Sequence, residues 1–293
     1  MSHSHESNNS GLKIGIVLNF LYAVGGFTVG ILTGSLTLIA DAMHNITDNF
    51  TLSVSYVANR ISKRKADSAR TFGYGRATIL AALINSSFLI AVAVLVAVEA
   101  VDRLRNPVAI NGGIVAAVAC IGILVNAFIA YKLSKSQQDL NMRSAYIDQL
   151  FDTISSVATV IAGLIILFTD IQYIDSIFAL LIVGFLLIST LKILKEAGHI
   201  LLEGTPADTD IDAITKTIVS DPRVIDVDDL HIWSIRSGYN AVSCHIVISE
   251  DDLIVSRDIV KAIKTALKDT CNIHHSTIEV ELKNCAEQIS HEI

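Results

Sequence analysis

Six long apolar stretches dominate the first two thirds of the chain, at roughly residues 13–33, 36–59, 77–101, 112–131, 144–168 and 173–191. Each is close to the about 20 residues that a helix needs to cross the hydrocarbon layer of a bilayer, so the pattern predicts six transmembrane helices. From about residue 204 the long apolar runs stop and shorter alternating stretches begin, such as VSCHIVIS at 242–249. Here the pattern predicts a helix near 208–220, strands near 224–233 and 239–249, a helix near 255–270 ending around Asn272, and a strand near 276–283. The expected architecture is a multi-pass α-helical membrane protein of two domains. Residues 1–203 form a six-span transmembrane domain and residues 204–293 a small cytosolic α/β domain.

Composition agrees: 52% of the 293 residues are hydrophobic and 17% charged, and the mean hydropathy is +0.54. Charge adds a direction. The connection between the second and third spans carries Arg60, Lys63, Arg64, Lys65, Arg70 and Arg76. The opposite side has Arg103 and Arg105, the two-residue Gly34-Ser35 link and the acidic TDIQYID at 169–175. Positive residues stay on the cytoplasmic side, which places both termini there and the spans in the cell membrane. The start MSHSHESNNSG has neither a basic segment nor a small-residue cleavage site, so no removable signal is expected, and His3 and His5 read as a solvated tail. A net charge of −7 argues against a nucleic-acid partner. Cys120, Cys244, Cys271 and Cys285 form no CxxC pair, which fits a reducing compartment. The sequons NIT and NFT at 45–51 lie at membrane depth and are chance matches.

The chemistry sits in DAMHNITD, residues 41–48, inside an apolar span. An Asp at the centre of a membrane helix costs about 2.5–3.5 kcal/mol, so several together need partners, water or an ion. His44 and Asp48 are four apart and share a helix face; Asp148 and Asp152 repeat the device in SAYIDQLFDTISS. Two helices offering such pairs can close a four-coordinate cage of one nitrogen and three oxygens around a divalent cation. Asp41, one turn back, reads either as an accessory ligand or as a hydrogen-bonding group between helices. Gly26, Gly30 and Gly34 mark a face for close helix packing.

Together, LIADAMHNITD, AYIDQLFDTISSVA, FGYGRAT, LLEGTP and DLHIW resemble the cation diffusion facilitator family over nearly the whole chain. The resemblance implies a homodimeric exporter of divalent metal ions that takes protons as counter-ion, with no cofactor and no enzymatic reaction. It places His44, Asp48, Asp148 and Asp152 at the family's transport site. Zinc members commonly have His where this chain has Asp148, and a hard oxygen there widens the expected cargo from zinc to cadmium, cobalt, iron or manganese. Some relatives bind metal between spans two and three through an Asp and two His; Asp67, Arg70 and Tyr74 stand there instead, so that site is expected to be lost. KLSKSQQDLNM at 132–142 lacks the His-rich run of many zinc members. The last domain resembles the family's metallochaperone-like (ferredoxin-like) domain, which dimerises and senses metal. Its candidate ligands are His231, His245, Glu279 and Glu281, with His275 close by, while Cys244 and Cys271 read as inert buried thiols. Two other classes compete: a membrane-anchored metal sensor and an intramembrane metalloenzyme. An anchor has no need of paired charges on two spans, and an enzyme would want an open coordination position with a separate general base.

Overall fold

The computed structural model describes residues 3–134, 140–236, 238–249 and 253–282. Six long helices come first: α1 (His3–Thr33), α2 (Leu36–Ser62), α3 (Ala77–Arg105), α4 (Gly112–Ser134), α5 (Leu140–Thr169) and α6 (Tyr173–Leu201). Then follow α7 (Ile211–Ile218), β1 (Val224–Arg236), β2 (Tyr239–Ile248), α8 (Leu253–Cys271) and β3 (Ile273–Leu282). Every predicted element is present; most ends shift by a few residues, but α1 begins at His3, so the expected N-terminal tail continues the first helix, and α6 runs on to Leu201. Among the described residues, four helices are long and apolar enough to cross a membrane: α3, α4, α5 over Gln149–Thr169, and α6. In α1 the apolar stretch is the shorter Val17–Thr33, and α2 is interrupted by Asp41, His44, Asn45, Asp48 and Asn49.

The chain divides into two compact units, Met1–Val54 with Ile84–Ile193, and Ser55–Leu83 with Leu194–Ile293. In the first, large apolar side chains face outward, with Phe168 82% and Ile188 75% exposed. Such a surface suits lipid tails and not water. Its interior holds small and polar side chains, among them Ala23, Ala93, Ala119, Ala162 and Ala179. That is how membrane helices come close, since association there relies on packing and hydrogen bonds. The expected glycine face is used: a Cβ on Gly30 would stand 2.8 Å from Ile39 Cγ1 and 3.1 Å from the Ile39 backbone nitrogen, so α1 lies directly on α2.

The link between α1 and α2 is tight. Gly34 adopts φ +73, a left-handed conformation that glycine takes without a Cβ penalty, and its carbonyl accepts from Arg103, which Glu99 holds at 2.8 Å. Asp175, fully buried in the first turn of α6, accepts from Ser35 Oγ at 2.6 Å and Leu36 N at 2.6 Å, while Thr37 Oγ1 donates to the Asp175 carbonyl at 2.7 Å. These bonds satisfy N–H groups that the start of α2 would otherwise leave orphaned, and they fix the depth of the helix that carries His44.

In the second unit, β1 pairs antiparallel with β2, and β2 pairs parallel with β3, in the order β1-β2-β3. The parallel pairing needs a crossover, which α8 supplies. Ile214 and Ile218 of α7 and Ile259, Ile263 and Leu267 of α8 pack with Ile232, Val242, Cys244 and Ile246 of the sheet. Asp210 caps α7 by accepting from Ala213 N at 3.1 Å. Asn272, at φ +55, ends α8 where the sequence placed its stop. Burial pushes the Cys244 thiol up to about 11, which matches the inert role expected of it.

Candidate metal centre

Helical spacing brings His44 and Asp48 to one face of α2, and α5 presents Asp152 to the same point. His44 Nε2 lies 3.0 Å from Asp152 Oδ1 and 3.6 Å from Asp48 Oδ2, and one ligand atom from each residue falls within 4.8 Å of the others. Ligands about 2.0–2.1 Å from a tetrahedral zinc are separated by about 3.3 Å, so the two separations from His44 bracket the spacing a metal imposes. Among the described residues this is the one cluster of His, Cys, Asp or Glu that meets such a criterion. Asp148 belongs to α5 one turn before Asp152; its side chain lies outside the described residues.

Two features were not foreseen. Gln149 Nε2 donates to Asp152 Oδ2 at 3.1 Å and so holds the carboxylate with its other oxygen toward His44. The signal was a polar residue three positions before Asp152 on the same helix. His44 Nδ1 is buried and has no hydrogen-bond partner among the described residues, so the ring is held from one side only, by Nε2 donating to the Asp152 carboxylate at 3.0 Å. Exposure is graded across the cluster: the side chain of Asp152 is 8% exposed, His44 24% and Asp48 43%.

Asp41 stands apart from this cluster. Its two oxygens accept from Tyr22 Oη of α1 and Ser155 Oγ of α5, both at 2.8 Å. The Tyr22 ring enters a notch that exists because α4 has Gly122 there, since a Cβ at that position would run into the phenol. Four helices therefore meet at Asp41, and of its two sequence readings the hydrogen-bonding one describes this geometry.

The cytosolic candidates gather around a residue the sequence did not single out. His245 Nδ1 lies 2.7 Å from Glu281 Oε1, and its Nε2 lies 3.5 Å from Asp229 Oδ2 and 3.7 Å from Glu279 Oε2. His231 Nε2 reaches the other oxygen of Asp229 at 2.9 Å. Asp229 thus links the two histidines. It sits where the pairing of β1 with β2 shifts register between Asp228 and His231, at φ +50, a conformation Asp tolerates better than most residues. Such a shift depends on strand pairing and left no mark in the local pattern. His275 pairs opposite Ala241, four residues along β3 from Glu279, which at about 3.3 Å per residue is about 13 Å away. It packs edge-on against Phe72 at 5.6 Å between ring centroids.

Asp67 is fully engaged without a metal. It accepts from Tyr74 Oη at 2.7 Å and from the backbone of Arg70 at 2.8 Å and Ala69 at 2.9 Å, and Arg70 lies over the Tyr74 ring at 4.9 Å. These bonds, that of Tyr74 foremost, hold its carboxyl below the usual carboxylate range. Asp67, Arg70 and Tyr74 form a closed turn of their own.

Comparison with known proteins extends this picture over the whole chain. Residues 12–202 match the family description "Cation efflux transmembrane domain" and residues 206–283 match "Cation efflux protein, cytoplasmic domain". The metal cation efflux system protein CzcD of Cupriavidus metallidurans is 36% identical over 288 residues, covering 98% of this chain and 91% of that protein. The cadmium, cobalt and zinc/H(+)-K(+) antiporter of Bacillus subtilis is 34% identical over 292 residues, covering 96% and 92%. The zinc transporter ZitB of Escherichia coli is 33% identical over 298 residues, covering 97% and 94%. With its apolar helices and small terminal sheet, this multi-pass membrane protein belongs to the cation diffusion facilitator family of divalent-cation efflux proteins.

Proposed function

We propose that the chain exports zinc, cadmium or cobalt from the cytosol in exchange for protons, through a site formed by His44, Asp48, Asp148 and Asp152. The observation that carries this reading is the spacing of His44, Asp48 and Asp152 across α2 and α5. The names of the relatives support the cargo and the counter-ion. In this reading all six long helices span the cell membrane and both termini are cytoplasmic. The transport domain ends near residue 203, and residues 204–293 dimerise and sense metal through His231, His245, Glu279 and Glu281, joined by Asp229.

Coupling follows from competition. A cation needs the carboxylates ionised and a lone pair on His44, so protons and metal exclude each other from one site. His44 is the ligand whose reference pKa, about 6.5, lies nearest neutral pH, and metal binding should therefore weaken as pH falls through neutrality. Moving a divalent ion out against an inside-negative potential costs about 4.6 kcal/mol per 100 mV, and each returning proton offsets about 2.3. Two protons make the exchange electrically neutral and leave the pH gradient to drive it. Alternating access then exposes the fixed site to one side and the other.

Reconstituted full-length protein should accumulate zinc in vesicles with an acidic interior, and collapsing the pH gradient should stop it. Zinc movement that ignores the gradient would remove the exchange. Metal binding with no flux at all would favour the sensor class.

Selectivity is open to a single substitution. Asp148→His replaces a hard oxygen with an imidazole and should shift competition toward zinc over manganese and iron. Unchanged competition would mean that Asp148 does not set selectivity.

A further inference from the structure

Moving along α2 and α5 from the metal cluster toward the α1–α2 link, the interior becomes closed but stays polar. Asp41, Asn126 of α4, and Ser156 and Thr159 of α5 are all fully buried. In the other direction Asp48 is 43% exposed and Asn49 half-buried. Burying polar groups costs free energy unless each is paired, so polar side chains that only hold helices together find partners. Here the pairing is incomplete: Asn126 donates to Ser156 Oγ at 3.4 Å, but among the described residues its Oδ1 is buried without a partner, as is Asn45 Oδ1. Unpartnered buried carbonyls beside a buried carboxylate have the character of a water-lined route that is shut.

Resting on the transport-site reading above, we propose that these polar groups line the exit route of the cation and that Tyr22, Asp41 and Ser155 are its gate. The gate joins helices that must separate for the route to open. Tyr22 brings α1, Asp41 brings α2 and Ser155 brings α5, each within 2.8 Å, and the notch at Gly122 lets the phenol reach across α4. Asp41 lies one turn from His44, so release of its two hydroxyl partners clears the space next to the metal cluster. In the arrangement described here the gate is closed, and the cluster is reached from the Asp48 side.

The test places a cysteine at Thr159, one turn beyond Ser155, and measures its reaction with a membrane-impermeant maleimide in right-side-out vesicles, against the background of the protein without it. Tyr22→Phe and Ser155→Ala together keep size and remove both hydroxyls. Losing two hydrogen bonds should raise the labelling rate at least tenfold. A cysteine at buried Ser86 of α3 should label no faster in the same background. Zinc affinity of the solubilised full-length protein should fall by less than about tenfold, since neither hydroxyl belongs to the metal cluster and loss of a ligand costs more. An unchanged rate at position 159, an equal rise at position 86, or a tenfold loss of zinc affinity would each overturn the gate. Failure of the underlying reading is visible separately: zinc binding that survives Asp152→Ala would remove the transport site whatever the labelling shows.

Discussion

Replacing Asp152 with alanine should lower zinc transport about 100-fold or more while the protein still inserts and dimerises. Losing a residue that merely orients a ligand already costs about 10–100-fold in metal affinity, and Asp152 is a ligand in the proposed site. Its oxygen lies closest to His44, at 3.0 Å, and it is the most buried carboxylate of the cluster. Without it, His44 keeps Asp48 at 3.6 Å, both on the same helix, and the bridge to α5 is gone. Folding should not suffer in proportion, because an intramembrane Asp is itself costly by about 2.5–3.5 kcal/mol. Flux of zinc, cadmium and cobalt in proteoliposomes decides the matter. Retained flux of all three would end the assignment.

The second large effect is expected at the seam between α4 and α5. A Cβ on Gly163 would stand 2.7 Å from the Ala116 nitrogen and 2.8 Å from the Gly112 carbonyl oxygen, and one on Gly112 would stand 2.6 Å from the Leu167 nitrogen. These are backbone atoms and cannot rotate away, so Gly163→Ala must push the two helices apart. Overpacking of this kind costs about 1–3 kcal/mol, and the strain falls on the helix that carries Asp148 and Asp152. Transport should drop and the melting temperature in detergent should fall by several degrees, about what 1–3 kcal/mol produces in a chain of this size. Gly184→Ala is the matched control, since no atom lies within 4 Å of the Cβ it would add. Equal melting of the two variants would show that the seam tolerates a methyl group.

Whatever depended on spacing along one segment was legible in the sequence. The six long helices follow from apolar runs, the pairs on α2 and α5 from a four-residue interval, and the end of α8 from Asn272. The presence of Asp67, Arg70 and Tyr74 where some relatives have an Asp and two His was likewise readable, because it needed only the identity of three residues. Contacts between distant segments were hidden. Ser35 and Asp175 are 140 positions apart and His44 and Asp152 are 108 apart, and no local pattern announces that Asp175 holds the start of α2. Asp229 was passed over because its importance comes from a register shift, which exists only once β1 has paired with β2. Gly122 is one glycine among 16 until Tyr22 is seen to fill the space beside it.

The link at Gly34 and Ser35 has a practical meaning for anyone who wishes to handle this protein. Ser35 is wholly buried, the carbonyl of Gly34 is taken by Arg103, and Ser35 and Leu36 are both bound by Asp175. The connection offers no surface for an antibody to grip and no slack into which an epitope or fluorescent label could be spliced. Residues 106–109, between α3 and α4, are exposed throughout and bear none of these ties. Tags and binders raised against that end of the bundle belong there, where they leave the helix that carries His44 undisturbed.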